Sequence, residues 1–252
     1  ENYRLQISAR ASLPLIYLTD KNKPSPITAP NFCMLLRKHI GSARIVDISQ
    51  PGLERIIQFE LEHLDEMGDL CRKKLIVEIM GKHSNIIFCR EDGTIIDSIK
   101  HVSAQVSSVR EVLPGRSYFI PQTVAKENPL TVTQETFHQA VGSSSMSVQK
   151  ALYSHLTGIS PIMAEEICHL ASIDSDYGAS ELSETELLHL YHTFSLVMED
   201  VKEGNFAPAI VFDEGGPVEY AALSLTCYEG GTYHSQSFRS MSHLLEEYYA
   251  SR

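Results

Sequence analysis

The chain has 252 residues, 43% of them hydrophobic, with 32 acidic against 21 basic side chains and a formal net charge of −11. That length and apolar content can bury one large core or two small ones. No run approaches the ~18 uninterrupted apolar residues of a membrane span, and five scattered cysteines with no Cys-x-x-Cys pair fit reduced thiols of the cytoplasm better than a disulfide framework or a zinc site.

The opening Glu1-Asn2-Tyr3-Arg4 has neither an initiator Met nor a basic-then-apolar leader, so the natural protein is expected to begin upstream. It runs into Leu5-Gln6-Ile7-Ser8, whose alternation predicts a strand, as does the apolar run Leu15–Leu18 before the turn cluster Thr19–Asn22. Pro24, Pro26 and Pro30 make a stiff connector. Phe32, Leu35, Leu36 and Ile40 share one face of a helix over 32–40, with Gly41 expected to end it in a left-handed cap. Strands are predicted at Arg44–Ser49, Arg55–Leu61, Lys74–Met80, Asn85–Cys89 and Thr94–Ile99, with Asp92-Gly93 as a tight hairpin turn.

After Pro121 the periodicity becomes helical. The serine-rich 142–147 reads as a flexible connection, followed by helices over Val148–Leu156 and Pro161–Ala171. Ser183-Glu184-Thr185-Glu186 matches a capping box, and the apolar spacing behind it runs to Gly204. Strands return at Ile210–Phe212 and Val218–Tyr228, and a last amphipathic helix covers Met241–Tyr249. This order predicts an α+β protein: a β-rich body over 1–120, a helical domain over 121–205, and a segment over 206–252 whose strands rejoin the body.

Catalytic signatures are missing, and the chain is expected not to be an enzyme or to need a cofactor. Gly81-Lys82-His83-Ser84 resembles the end of a phosphate-binding P-loop, but His83 stands where Ser or Thr must follow the lysine, and Ile76 where the first glycine belongs. The eleven histidines include no His-Glu-x-x-His pair. Two constellations remain. In Leu152–Ala164 a helix, a Gly158 turn, Ser160 as N-cap and Pro161 at the first helical position fit a helix–hairpin–helix. Such a hairpin offers free N–H groups to a phosphate, though plain capping needs the same residues. The second is a set of polar residues flanking the apolar runs: Arg37-Lys38-His39, Glu54-Arg55, Lys82-His83-Ser84-Asn85, Lys100-His101, Arg110 and Arg116. They form either a binding face or ordinary solvated strand ends. The charge distribution permits the former. Residues 37–116 balance twelve bases with twelve acids, whereas residues 117–252 carry five bases against eighteen acids.

Met34–Ile40, Gly52–Arg55, Val77–Ile86, Ile96–His101 and Val112–Tyr118 resemble, in the same order, the successive motifs of the N-terminal domain of the NFACT family, and the likeness continues through Gly158–Pro161. The resemblance implies a β-sandwich or barrel similar to that of formamidopyrimidine-DNA glycosylase, with an inserted helical domain containing a helix–hairpin–helix. It does not imply glycosylase chemistry, whose N-terminal Pro-Glu and four-cysteine zinc finger are absent from this sequence. It implies as partners the large ribosomal subunit with its stalled peptidyl-tRNA, and alanyl-tRNA recruited for C-terminal alanine tailing. An Asp-Arg pair important to that work in the family falls on Glu54 and Arg55, where Glu extends the carboxylate by a methylene. The family's older name would instead make fibronectin the partner of a surface adhesin, and fold analogy alone suggests nucleic-acid repair. No membrane partner, metal or catalytic residue is expected.

Overall fold

Alternating side chains build the first part of the chain into antiparallel strands. Leu5–Arg10 (β1) and Leu13–Leu18 (β2) pair as a hairpin. Helix α1 (Asn31–Ile40) follows. A five-stranded meander is then laid down in chain order: β3 (Arg44–Ser49), β4 (Ile56–Leu64), β5 (Leu70–Glu78), β6 (Asn85–Arg90) and β7 (Ile95–Ser98). The computed structural model describes residues 1–121 and 125–250. They divide into two compact units, Glu1–Ile16 with residues 20–121, and Tyr17–Thr19 with residues 125–250.

In the first unit the sheet buries both faces, because successive residues of a strand point to opposite sides. Ile56, Ile76, Ile87, Cys89 and Ile95 form one cluster with Val112, and Met80, Val102, Tyr118 and Ile120 pack on it. Phe59, Leu61 and Val77 form the other, covered by Ile7 and Ile16 of the hairpin and by Ile40 of α1. The sheet is open, with β3 at one edge and β7 at the other, so it is not a closed barrel, while the separate β1–β2 hairpin packs on one of its faces. The cause lies after β7, where the serine-rich 103–108 and Pro114-Gly115 support only the isolated bridges Val102↔Val112 and Thr94↔Ser117. At the other edge, β3 carries a bulge between Ile45 and Asp47.

Gly41 does not take the expected left-handed conformation; its φ is −56°. It serves by its small size, since a Cβ there would lie 2.6 Å from the carbonyl oxygen of Arg37.

The second unit contains α2 (Gln134–Gly142), α3 (Val148–His155), α4 (Pro161–Leu170) and α5 (Glu184–Glu203), then β8 (Ala209–Asp213), β9 (Gly216–Ala221), β10 (His234–Ser237) and α6 (Met241–Tyr249). Its helices bury Phe137, Leu152, Ile167, Leu190 and Phe194. Ser183 and Glu186 complete the reciprocal capping box at the start of α5. The 142–147 segment is hydrogen-bonded rather than free. Ser144 is buried and its carbonyl accepts from Ser180, while that of Met146 accepts from Ala179.

The last strands depart from expectation. Strand order β10-β8-β9 is a sheet of its own, clustered with the helices and not paired to the five-stranded meander. The strand predicted over Val218–Tyr228 stops at Ala221, and Thr226–Tyr228 is a 3-10 turn. Buried Glu166 of α4 holds that turn, accepting from Thr226 Oγ1 at 2.7 Å and the Cys227 N–H at 2.8 Å. A buried carboxylate needs such donors, so the bond fastens 206–250 to the helices.

Candidate nucleic-acid interface

Strand β5 ends at Glu78, and the N–H of Ile79 bonds the carbonyl of Arg55 at 2.9 Å, which brings the 52–55 turn beside the end of β5. Gly81, with φ +56°, then reverses the chain into the 3-10 turn Gly81–His83, where the left-handed region suits glycine. Ser84 closes this turn from inside, its Oγ accepting the Met80 N–H at 2.8 Å. Buried Asn85 links it to the segment after β7: its Oδ1 accepts from Lys100 N at 3.1 Å and its Nδ2 donates to Lys100 O at 3.0 Å. Ser98 Oγ donates to the same carbonyl at 2.7 Å. Three backbone segments far apart in sequence are thereby tied together.

Between them lies a cleft of about 630 Å³. Arg55, Lys82, His83, Lys100 and His101 line it as polar groups, over a floor that includes Met80, Val102 and Val112. Arg55, Lys82 and His83 are exposed, and among the described residues Arg55, Lys82 and Lys100 form no ion pair. His101 Nε2 lies 2.6 Å from Asp97 Oδ1. Three free cations on one rim present a positive edge to solvent, suited to phosphate groups.

Other predicted positions fall elsewhere. Ser84 and Asn85 line the cleft but are buried and spent on backbone bonds, so they shape it. Arg110 lines it too, but its guanidinium is only 9% exposed and binds the fully buried Glu78 through Nη2 and the Phe119 carbonyl through Nη1 at 2.7 Å. It also stacks over Tyr118, whose hydroxyl donates to Glu78 at 2.8 Å. Burial, then the Glu78 charge, push the Tyr118 phenol well above its usual range. Arg110 is thus a wall member with its donors engaged, a correction to its expected place on the free basic face. Arg116 pairs with Glu111 at 2.8 Å.

Glu54 is half-buried beside the cleft without lining it, its carbonyl accepting from Gln50 Nε2 at 2.8 Å. Arg37, Lys38 and His39 close α1, whose Ile40 packs on the Phe59 face of the sheet, opposite the face against which the cleft is built. The expectation that Arg37 shares one side with Arg55, Lys82 and Lys100 is therefore corrected. In the second unit Gly158 takes φ +78°, as its turn requires, and Ser160 caps α4 through the Met163 N–H at 3.2 Å with Pro161 first in the helix. What the sequence reading missed is the apolar lining: Val106 and Val109 sit in a loop with no periodic pattern to announce them. No cluster of three or more metal-ligating side chains occurs among the described residues, and no described helix is long and apolar enough to cross a membrane.

The profile of a family described as NFACT N-terminal and middle domains matches residues 1–252. A Bacillus subtilis protein named Rqc2 homolog RqcH is 35% identical over 250 residues, covering 99% of this chain and 41% of its own length. The N-terminal part of the fibronectin/fibrinogen-binding protein of Streptococcus suis has a similar structure, with TM-score 0.78 and 30% identity, covering 100% of this chain and 84% of that one. A fibrinogen-binding protein of Staphylococcus aureus is similar at TM-score 0.79 and 28% identity, covering 99% and 84%. The chain spans about two fifths of the length of the B. subtilis relative.

Proposed function

Because the chain belongs to the NFACT N-terminal and middle domain family, we propose that it is the RNA-binding module of a ribosome-associated quality-control factor, with Arg55, Lys82 and Lys100 as its phosphate-contacting edge. The observation that carries this reading is the convergence of those three unpaired cations on one cleft. In the full-length protein the module would engage tRNA on a stalled large ribosomal subunit and recruit alanyl-tRNA for alanine tailing, with peptide-bond formation left to the ribosome. The name of the B. subtilis relative supports the quality-control setting. The Gly158 turn and the capped start of α4 supply a second, sequence-independent contact for phosphate in this reading.

Arginine's planar fork can bridge two phosphate oxygens or a base edge, and an exposed side chain is free to do so. Arg55→Ala is expected to weaken tRNA binding about ten- to hundredfold while leaving the melting temperature nearly unchanged. Binding should also fall with salt, each phosphate contact adding about 0.7–0.9 to the slope of log affinity against log salt. Wild-type tRNA affinity in Arg55→Ala would sink the assignment of the cleft. The names of the S. suis and S. aureus neighbours favour a second reading, binding of fibronectin or fibrinogen. Binding of immobilised fibronectin by the full chain with no measurable tRNA binding would replace the first reading with the second.

A further inference from the structure

The end of α1 borders a second cavity, of about 400 Å³, on the sheet face opposite the Arg55 cleft. Lys38 and His39 line it from α1, His63 from β4, Lys73 from β5 and Arg90 from β6. Lys73 and Arg90 are direct partners across the β5–β6 ladder, a placement in which like charges repel and weaken the pairing. Among the described residues neither forms an ion pair, and nor does Lys38.

The helix C-terminus accounts for Lys38, since cations are favoured there. No such dipole accounts for Lys73 and Arg90, because the net dipole of an antiparallel ladder is small. Asp65 and Glu66 also line the cavity. Asp65 is engaged in its own hairpin turn, its Oδ1 accepting the N–H groups of Met67 and Asp69, each at 2.9 Å. The lining thus holds two carboxylates, Asp65 and Glu66, against the three cations Lys38, Lys73 and Arg90, an excess of one positive charge. His39 registers the resulting field: burial, then Lys38 and Lys73, hold its imidazole below the ordinary range, with Glu66 acting weakly the other way.

We infer that this cavity binds a phosphate-bearing anion between Lys73, Arg90 and Lys38, with His39 as a hydrogen-bonding neighbour; His63 shapes the wall, its ring nitrogens lying against the Leu64 carbonyl at 3.1 Å and Cys71 Sγ at 3.3 Å. Lys73 Nζ donates to Cys71 Sγ at 3.5 Å, a neutral partner that leaves its charge uncompensated; a bound dianion turns the Lys73–Arg90 repulsion into two attractions, which gives the placement a function. The phosphate comes either from an RNA backbone or from a small phosphorylated molecule. The site is separate from the Arg55 cleft, and its occupancy does not depend on that cleft binding RNA.

The test is thermal denaturation of the 252-residue chain in inorganic phosphate, compared with sodium chloride at equal ionic strength. Phosphate at roughly ten times its Kd should raise the wild-type Tm by about 3 °C. Arg90→Gln should melt no lower than wild type without phosphate, because it removes a like-charge contact, and should lose most of the phosphate-specific gain. Lys73→Gln provides the same comparison should the first variant fold poorly. An equal phosphate gain in wild type and both variants would mean only general salting effects and would overturn the site. tRNA titrations then separate the sources. A salt slope lower by about 1 in each variant assigns the phosphate to RNA, and unchanged tRNA affinity beside a lost phosphate gain assigns it to a small molecule. Failure of Arg55→Ala to weaken tRNA binding would leave the phosphate result standing.

Discussion

Glu78 ends β5 with its carboxylate entirely out of water, between the Arg110 guanidinium and the Tyr118 hydroxyl. Removing one member of a buried ion pair strands the other charge, which costs about 3–5 kcal/mol. Glu78→Gln is therefore expected to lower Tm by roughly 10 °C, measured by differential scanning calorimetry. A drop under a degree or two would show that water reaches the pair. The cysteines offer a second check. Burial pushes the Cys89 and Cys168 thiols up to about 12, whereas in an unfolded chain thiols ionise near about 8.5. Above that pH the unfolded state binds fewer protons than the folded one, so stability falls as pH rises from about 8.5 toward 12. Iodoacetamide at pH 8 should leave both thiols unmodified until the chain is denatured, as mass mapping would report; rapid labelling of the native protein would contradict their burial. At this scale the cations without ion pairs were legible, because Arg55, Lys82 and Lys100 flank apolar runs and strand ends lie near one another in a meander. Arg110 was not, since its partner lies 32 residues away and nothing local marks that partner as buried.

Between α3 and α4 the chain turns in five residues, and only Gly158 among them has positive φ. A β-branched side chain there is strained by at least about 1–2 kcal/mol. Gly158→Val should lower Tm by several degrees with nearly unchanged helix content by circular dichroism, and unaltered stability would mean that the turn relaxes freely. Helix ends were readable at Ser160, Ser183 and Gly204, where a cap stood beside a clear apolar period. Helix α2 was overlooked because it is short and buries only Phe137 and Val141, too few apolar positions to establish a period. Strand β10, His-Ser-Gln-Ser, has no apolar residue and every position exposed. Pairing with β8 makes it a strand, and its own residues carry no sign of that.

Over the whole molecule, the mixed α+β class was legible from the change of periodicity after Pro121, but the sheet that the last strands join was not. Alternation says that a segment pairs and leaves the partner open. Nothing local sets Glu166, which holds the 226–228 turn to α4, apart from the other acids of residues 117–252. The candidate cleft was half visible for the same reason, its charged rim lying in motifs and part of its apolar lining, Val106 and Val109, in a patternless loop. The edge strand β3 has a consequence for the behaviour of the protein at high concentration. Ile45 and Ile48 are 54% and 58% exposed on a strand paired along one side only, with Asp47 and the bulge between them. Such an edge templates pairing with a second chain unless a charge or a bulge interrupts it. Asp47→Val removes the charge and leaves a continuous β-branched run from Ile45 to Ile48. Light scattering over a concentration series should find self-association in Asp47→Val at concentrations where wild type scatters as a monomer, and identical scattering by the two would show that the bulge alone keeps the edge unpaired.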